Sequence, residues 1–93
     1  MSGLSQRLLA LRRRFVEQAE NDAQEIAGGA AVQSWHAVRD LCHRLAGRAG
    51  MLGFPELTDD ARALEEAVDA GKPSQDLDDL AHDLVRRLRA LEP

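Results

Sequence analysis

Residues 43–53 read HRLAGRAGMLG and lie within an otherwise amphipathic helical pattern. Three glycines, Gly47, Gly50 and Gly53, fall within this short stretch. Each glycine inside a helix costs roughly 1 kcal/mol relative to alanine. Gly53 has a ready explanation, because glycine is common just past the last helical residue and Pro55 cannot continue the helix. Gly47 and Gly50 need another explanation, and it concerns the surface beside His43.

The imidazole of His43 is predicted to point away from the core. At about 100° per residue, the apolar Leu41 and Leu45 lie far around the helix from it. The residues that share its face are His36, Arg39, Asp40, Ala46, Gly47 and Gly50. Side chains three and four positions later would lean back over the ring, but those positions hold only Ala46 and Gly47. These small residues leave open space beside the ring, where another protein could approach. The alternative interpretation is that the glycines allow close packing of helices.

Apolar residues at helical spacing predict four helices. The first begins near Leu4, with Ser2 or Ser5 as its cap, and ends at Gly28–Gly29. The second runs from about residue 31 or 34 to residue 52. The third begins at Pro55 and ends at Gly71 and Pro73. The fourth follows Ser74, a predicted N-cap.

The apolar stripes also predict the core. The residues on these stripes are Leu4, Leu8, Leu11, Phe15, Ala19 and Ile26; Trp35, Val38, Leu41, Cys42, Leu45, Ala49 and Leu52; Leu57, Ala61, Leu64 and Val68; and Leu77, Leu80, Ala81, Leu84, Leu88 and Leu91. No window alternates with the period of a strand, and short links favour antiparallel neighbours. We therefore predict an all-α, up-down-up-down antiparallel four-helix bundle, one domain over residues 1–93.

Composition excludes several classes of function. The net charge is −4, and the one basic run, residues 12–14, is predicted to be a solvated helix face, so we expect no nucleic-acid partner. Cys42 is the single cysteine, which excludes an internal disulfide and a cysteine zinc motif and fits a reducing compartment. We find no signal peptide and no apolar run that spans a membrane, and we expect a cytoplasmic protein with no membrane partner.

Five residues of the quoted stretch carry a resemblance to a known family. They are His43, Leu45, Gly47, Ala49 and Gly53. Their spacing resembles the signature of the histidine phosphotransfer (HPt) domain family, which has a histidine followed by an apolar residue, a glycine, a small residue and a second glycine at these positions. Leu57, Ala61 and the pair Leu64–Glu65 are similar to the next helix of that family.

The resemblance implies a phosphoryl carrier in a phosphorelay. His43 would accept the phosphoryl group on the ring nitrogen farther from the backbone, in exchange with aspartates of response-regulator receiver domains, and a hybrid histidine kinase would be a further partner. The chain has no Gly-rich phosphate loop, so we expect no ATP site and no enzymatic activity of its own. No cofactor is expected in this chain, because the receiver domain would bring the Mg²⁺.

One position departs from the family pattern. The family usually has a lysine three residues after the histidine, where this chain has Ala46. Arg39 is the first candidate to replace its positive charge, and Arg44 is the second. The residues expected to dock a partner or support the phosphate are Arg39, Arg44, Ala46, Gly47, Gly50 and Phe54. The alternative function is a helical interaction module, a pseudo-HPt domain that is not phosphorylated.

Several residues near His43 have competing interpretations. Phe54 either covers the core or belongs to the docking rim. Asp40 either hydrogen-bonds the ring of His43 or pairs with Arg44. Cys42 is predicted to be a buried apolar residue, because neighbours in a helix do not face each other and cannot form a nucleophile–base pair. No metal site is expected from His36 or the other histidines.

Overall fold

The chain folds into four helices in the computed structural model, which describes residues 3–93. The helices are α1 (Gly3–Ala31), α2 (Trp35–Leu52), α3 (Pro55–Asp69) and α4 (Ser74–Arg89), and no strand occurs in that range. Each helix packs against its neighbours in the chain, and α1 closes the bundle against α4. The predicted all-α, up-down-up-down antiparallel bundle is confirmed. Ser2, one of the two predicted caps of α1, lies outside the described residues.

The core is aliphatic and receives residues from all four helices. Its largest fully buried side chains are Ile26, Val38, Cys42, Leu45, Leu57, Leu64, Leu84 and Leu88. The two phenylalanines close one end, because the rings of Phe15 and Phe54 stack with centroids 5.2 Å apart. The apolar stripes of α2, α3 and α4 therefore face inward as predicted.

The first turns of α1 differ from the prediction. Leu4, Leu8 and Leu11 are 78%, 43% and 52% exposed, so the expectation that they belong to the core is wrong. The reason is length: α1 has 29 residues, whereas α2 and α4, the helices that pack against it, have 18 and 16. At about 1.5 Å per residue, α1 outruns the helices that would cover its stripe, and its buried residues begin only at Phe15.

Two helix ends also differ from the prediction. Gly28–Gly29 does not stop α1, which continues to Ala31. Gly29 is instead a point of close approach, since a Cβ atom there would lie 2.7 Å from Cγ2 of Val38 on α2. Ser74 is the first residue of α4 rather than its cap; Pro73 holds the cap position, and no side chain caps that end.

The turn between α2 and α3 follows the prediction and gains a contact that the sequence did not show. Gly53 adopts a left-handed conformation with φ 81°, and Pro55 begins α3. Arg12 donates to the carbonyl oxygen of Leu52 at 2.6 Å, and its guanidinium lies 4.4 Å from the ring centroid of Phe54. Arg12 thus satisfies a terminal carbonyl of α2 and is not merely part of a solvated basic face.

This turn sets the register of α2 against α3. The bundle places residues equally far before and after Phe54 opposite each other. Gly50 lies beside Thr58, with a Cβ built on Gly50 3.8 Å from the threonine side chain. Farther along, His43 meets Glu65 and Arg39 meets Asp69; each pair is symmetric about position 54.

None of the helices within residues 3–93 combines the length and the apolar character that crossing a membrane requires.

We predict opposite stability changes for two adjacent alanine substitutions in α1. Gly28→Ala adds a Cβ with no atom within 4 Å, so better helix propensity should raise the free energy of unfolding by up to about 1 kcal/mol. Gly29→Ala drives a Cβ into the β-branched, fully buried Val38, and overpacking of this kind costs about 1–3 kcal/mol. Denaturant unfolding of both variants measures the difference; equal stability of the two would contradict the close approach at Gly29.

Candidate functional site

His43 lies near the middle of α2 with its side chain 67% exposed, so the outward direction predicted from the helical wheel is confirmed. Its Nδ1 lies 2.8 Å from Oε2 of Glu65 on α3. A neutral imidazole has one N–H and one lone pair, and a carboxylate only accepts hydrogen bonds. The contact with this carboxylate therefore favours the tautomer in which Nδ1 carries the proton and donates it to Glu65, with the lone pair on Nε2.

The carboxylate of Glu65 is itself held in place. Its side chain is only 14% exposed, and the oxygen that meets His43 also lies 3.2 Å from Nη2 of Arg39. Arg39 in turn makes two hydrogen bonds to Asp69, of 3.0 and 3.2 Å. The bond from Arg39 lowers the pKa of Asp69, and the same bond raises the pKa of Arg39. Glu65, which Arg39 holds in place, therefore orients the ring of His43 from α3.

A shallow hollow of about 470 Å³ opens beside the ring. Its lining residues are His43, Ala46, Gly47, Arg62, Glu65, Glu66 and Asp69. Ala46 corrects the prediction of an exposed docking residue, because it is only 4% exposed. Ala46 lies about 60° around α2 from His43, on the side of the buried Cys42 and Ala49. Its methyl group therefore forms part of the bottom of the hollow between α2 and α3.

Gly47 has no role in packing the bundle. A Cβ atom built on it meets nothing within 4 Å, and one built on Gly50 makes only ordinary contact with Thr58. Close helix packing, the alternative explanation, therefore does not account for Gly47. Both glycines are exposed, and together they leave the outer surface of α2 beside His43 flat.

Phe54 belongs to the core. It is 8% exposed, stacks on Phe15 and is covered by the guanidinium of Arg12. Of its two predicted roles, covering the core is correct, and the assignment to an exposed docking rim is wrong. Its position in the turn brings it under α1, which the pattern of α2 and α3 alone did not reveal.

The remaining polar residues near His43 are divided between two sides of α2. Arg44 is exposed and lines a separate groove of about 650 Å³ between α1 and α2, together with Gly47 and Met51. Asp40 adopts neither predicted pairing, since its carboxylate lies 3.5 Å from Nη1 of Arg39. Arg39 thus faces three carboxylates, and Arg44 lies on the other side of the histidine.

Cys42 cannot act as a nucleophile in this environment. Its side chain is fully buried, and burial, with a smaller contribution from Glu65, raises the pKa of its thiol to about 12. His36 and His82 are exposed. Among residues 3–93, histidine, cysteine and carboxylate side chains form no group of three or more that could hold a metal ion.

The sequence of α2 alone does not show which residues of α3 lie beside His43. Glu65 appears in the sequence analysis only through the family resemblance, and no sequence pattern pointed to Arg62. The signal that could have found both is the symmetry of the hairpin: Glu65 lies as far after Phe54 as His43 lies before it. In an antiparallel helix pair, residues at equal distances from a tight turn come side by side.

Comparison with known proteins places this site in a family context. A protein-family model described as the Hpt domain matches residues 10–92 of the chain, so it covers α1 from residue 10 onward, the other three helices and the His43 site. No curated protein and no solved structure gives a significant match.

We predict that Glu65 fixes the tautomer of His43. In the wild type, ¹⁵N NMR of the imidazole under alkaline conditions should show the proton on Nδ1. Glu65→Ala should lose that preference, because the hydrogen bond made by one ring nitrogen selects which nitrogen is protonated. Glu66→Ala is the matched control, since no hydrogen bond joins Glu66 to the ring. An unchanged tautomer in Glu65→Ala would show that the contact does not orient the proton.

Proposed function

The chain belongs to the Hpt domain family, and on that premise we propose that it carries a phosphoryl group on Nε2 of His43 and exchanges it with aspartates of receiver domains. The observation that carries the proposal is the contact between Nδ1 and Glu65. With the proton on Nδ1, the other nitrogen of this side chain, which is 67% exposed, keeps the lone pair that a nucleophile needs.

The proposed reaction is in-line phosphoryl transfer. The Nε2 lone pair attacks the phosphorus of an aspartyl phosphate and forms an N–P bond. The bond from phosphorus to the aspartyl oxygen breaks, and its electron pair leaves with the carboxylate. The ring keeps its Nδ1 proton and becomes an imidazolium, whose positive charge lies next to the Glu65 carboxylate at 2.8 Å. The reverse reaction returns the group to a receiver.

Transfer of this kind depends mainly on positioning and on neutralising charge. We propose that this chain supplies an oriented imidazole and an accessible surface, and that the receiver domain supplies Mg²⁺ and its own acidic pocket. The chain would then need neither a cofactor nor an ATP site. A hybrid histidine kinase is the proposed source of the phosphoryl group that enters the relay.

We propose that the receiver approaches over Gly47 and Gly50. Both positions are exposed, and no packing contact within the bundle requires glycine at Gly47. The absence of side chains there lets the edge of the receiver's active site come close to Nε2. The groove between α1 and α2 continues this surface, because Gly47 lines both the groove and the hollow beside His43.

The first functional prediction concerns His43 itself. Incubation with receiver domains charged by acetyl phosphate should transfer acid-labile, base-stable label to the wild type and none to His43→Gln. Unfolding free energy should change by no more than about 0.5 kcal/mol, because the residue is exposed. His36→Gln and His82→Gln are the controls and should still accept label. Label that persists in His43→Gln would exclude this histidine as the carrier.

The second functional prediction concerns the open surface at Gly47 beside His43. Gly47→Leu should slow transfer from a receiver, because the side chain four residues after His43 leans back over the ring. Its melting temperature should not fall, since the position faces open space and leucine favours the helix. Gly47→Ala, which adds only a methyl group, should lose less transfer. A sharp fall in stability would instead assign the glycine to packing, and unchanged transfer would place the receiver elsewhere.

A further inference from the structure

The geometry points to Arg62 on α3 as the residue that binds the phosphoryl group on His43, a role that rests on the proposed function and that no residue of α2 fills. Arg62 lines the same hollow as His43 and Ala46. Its side chain is exposed, and it forms no hydrogen bond or ion pair with any residue of the described range 3–93.

The register of the hairpin places Arg62 directly across from Ala46. Three observed neighbours, Gly50 with Thr58, His43 with Glu65 and Arg39 with Asp69, are each symmetric about Phe54. Residues 46 and 62 have the same symmetry.

This register places a cation one turn from the ring. Position 46 is almost one turn after His43 on α2. Because α3 runs in the opposite direction, Arg62 lies the corresponding distance before Glu65. Its Cα is therefore about one helical turn, roughly 5 Å, from the level of the ring, within reach of a long side chain.

The shape of the hollow leaves room for this side chain. Ala46 ends at a buried methyl group, and Gly47 has no side chain. A guanidinium from α3 can therefore lie over position 46 without meeting a side chain of α2. Glu66 faces the same hollow but forms no ion pair with Arg62, so the arginine is available to a phosphoryl dianion.

The other arginines near His43 are less suitable. Arg39 makes two hydrogen bonds to Asp69 and an ion pair to Glu65, so its charge is balanced and its geometry is fixed on the α3 carboxylates. Arg48 pairs with Asp22 across the α1–α2 groove, at 3.7 Å. Arg44 lines that same groove and not the hollow. Arg62, rather than the Arg39 predicted from the sequence, is therefore the proposed phosphate-supporting residue.

A small phosphoryl donor tests this role without a receiver. Phosphoramidate reacts as its zwitterion, whose nitrogen already carries three protons: Nε2 attacks phosphorus and forms an N–P bond, the bond from phosphorus to that ammonium nitrogen breaks, and neutral ammonia leaves with the electron pair. Arg62→Ala should label His43 about two- to fivefold more slowly, the range expected for one exposed ion pair. Arg62→Lys should restore most of the rate. Arg14→Ala removes the same exposed charge from α1, which contributes no residue to the hollow, and should leave the rate unchanged.

Salt separates an electrostatic role from a structural one. The deficit of Arg62→Ala should be largest at about 0.01 M salt, where the Debye length is about 30 Å, and should shrink at about 1 M, where it is about 3 Å. Thermal unfolding should not change, since the side chain is exposed and unpaired. A deficit in Arg62→Ala that neither lysine restores nor salt reduces would assign it to structure and overturn the inference.

The outcomes distinguish the two proposals. If the wild type is labelled, His43→Gln is not, and Arg62→Ala matches the wild type, then the carrier function stands and the role of Arg62 fails. If the wild type takes up no more label than His43→Gln, both fail. A larger deficit in Arg44→Ala than in Arg62→Ala would assign the phosphate to α2 and overturn the inference; Arg39→Ala is not a suitable comparison, because Arg39 also holds the Glu65 carboxylate.

Discussion

The turn from α2 to α3 is the constraint on which the site depends. Gly53 takes a left-handed conformation, Pro55 starts the next helix, and Arg12 holds the carbonyl of Leu52 from α1. With so few residues between the helices, their relative register is fixed. His43 and Glu65, each eleven residues from Phe54, are then brought to hydrogen-bonding distance. A turn one residue longer would rotate Glu65 by about 100° and separate it from the ring.

The glycines of this chain serve different purposes, although the sequence presents them alike. Gly53 is required by its backbone conformation, and Gly29 is required by the proximity of Val38. Neither reason applies to Gly47, which faces open space. Gly47, one turn from an exposed histidine, lowers the stability of its helix, and no contact within the bundle requires a glycine there. The proposed approach of a receiver domain to the ring would explain this glycine.

The sequence predicted most of the fold and one side of the site. Apolar residues at helical spacing predicted four helices, and glycine or proline correctly marked the second and third links. The first link, residues 32–34, contains neither, so the end of α1 was predicted too early. The apolar stripes could not show that Leu4 and Leu8 lie beyond the end of their neighbours, since a stripe does not reveal what covers it. The wheel placed His43 correctly because its direction depends only on its own helix. The partners on α3 depend on register between helices, which a wheel of one helix does not contain.

The charges that α3 presents match the two ends of the proposed product. A phosphorylated imidazole that keeps its Nδ1 proton has a positive ring and a negative phosphoryl group. Glu65 faces the ring, and Arg62, three residues earlier on the same face of α3, lies on the side of the phosphoryl group. Arg62 is exposed, and an exposed ion pair contributes only about 0–1 kcal/mol. This weakness suits a carrier, because a group held much more tightly would not be released to the next aspartate.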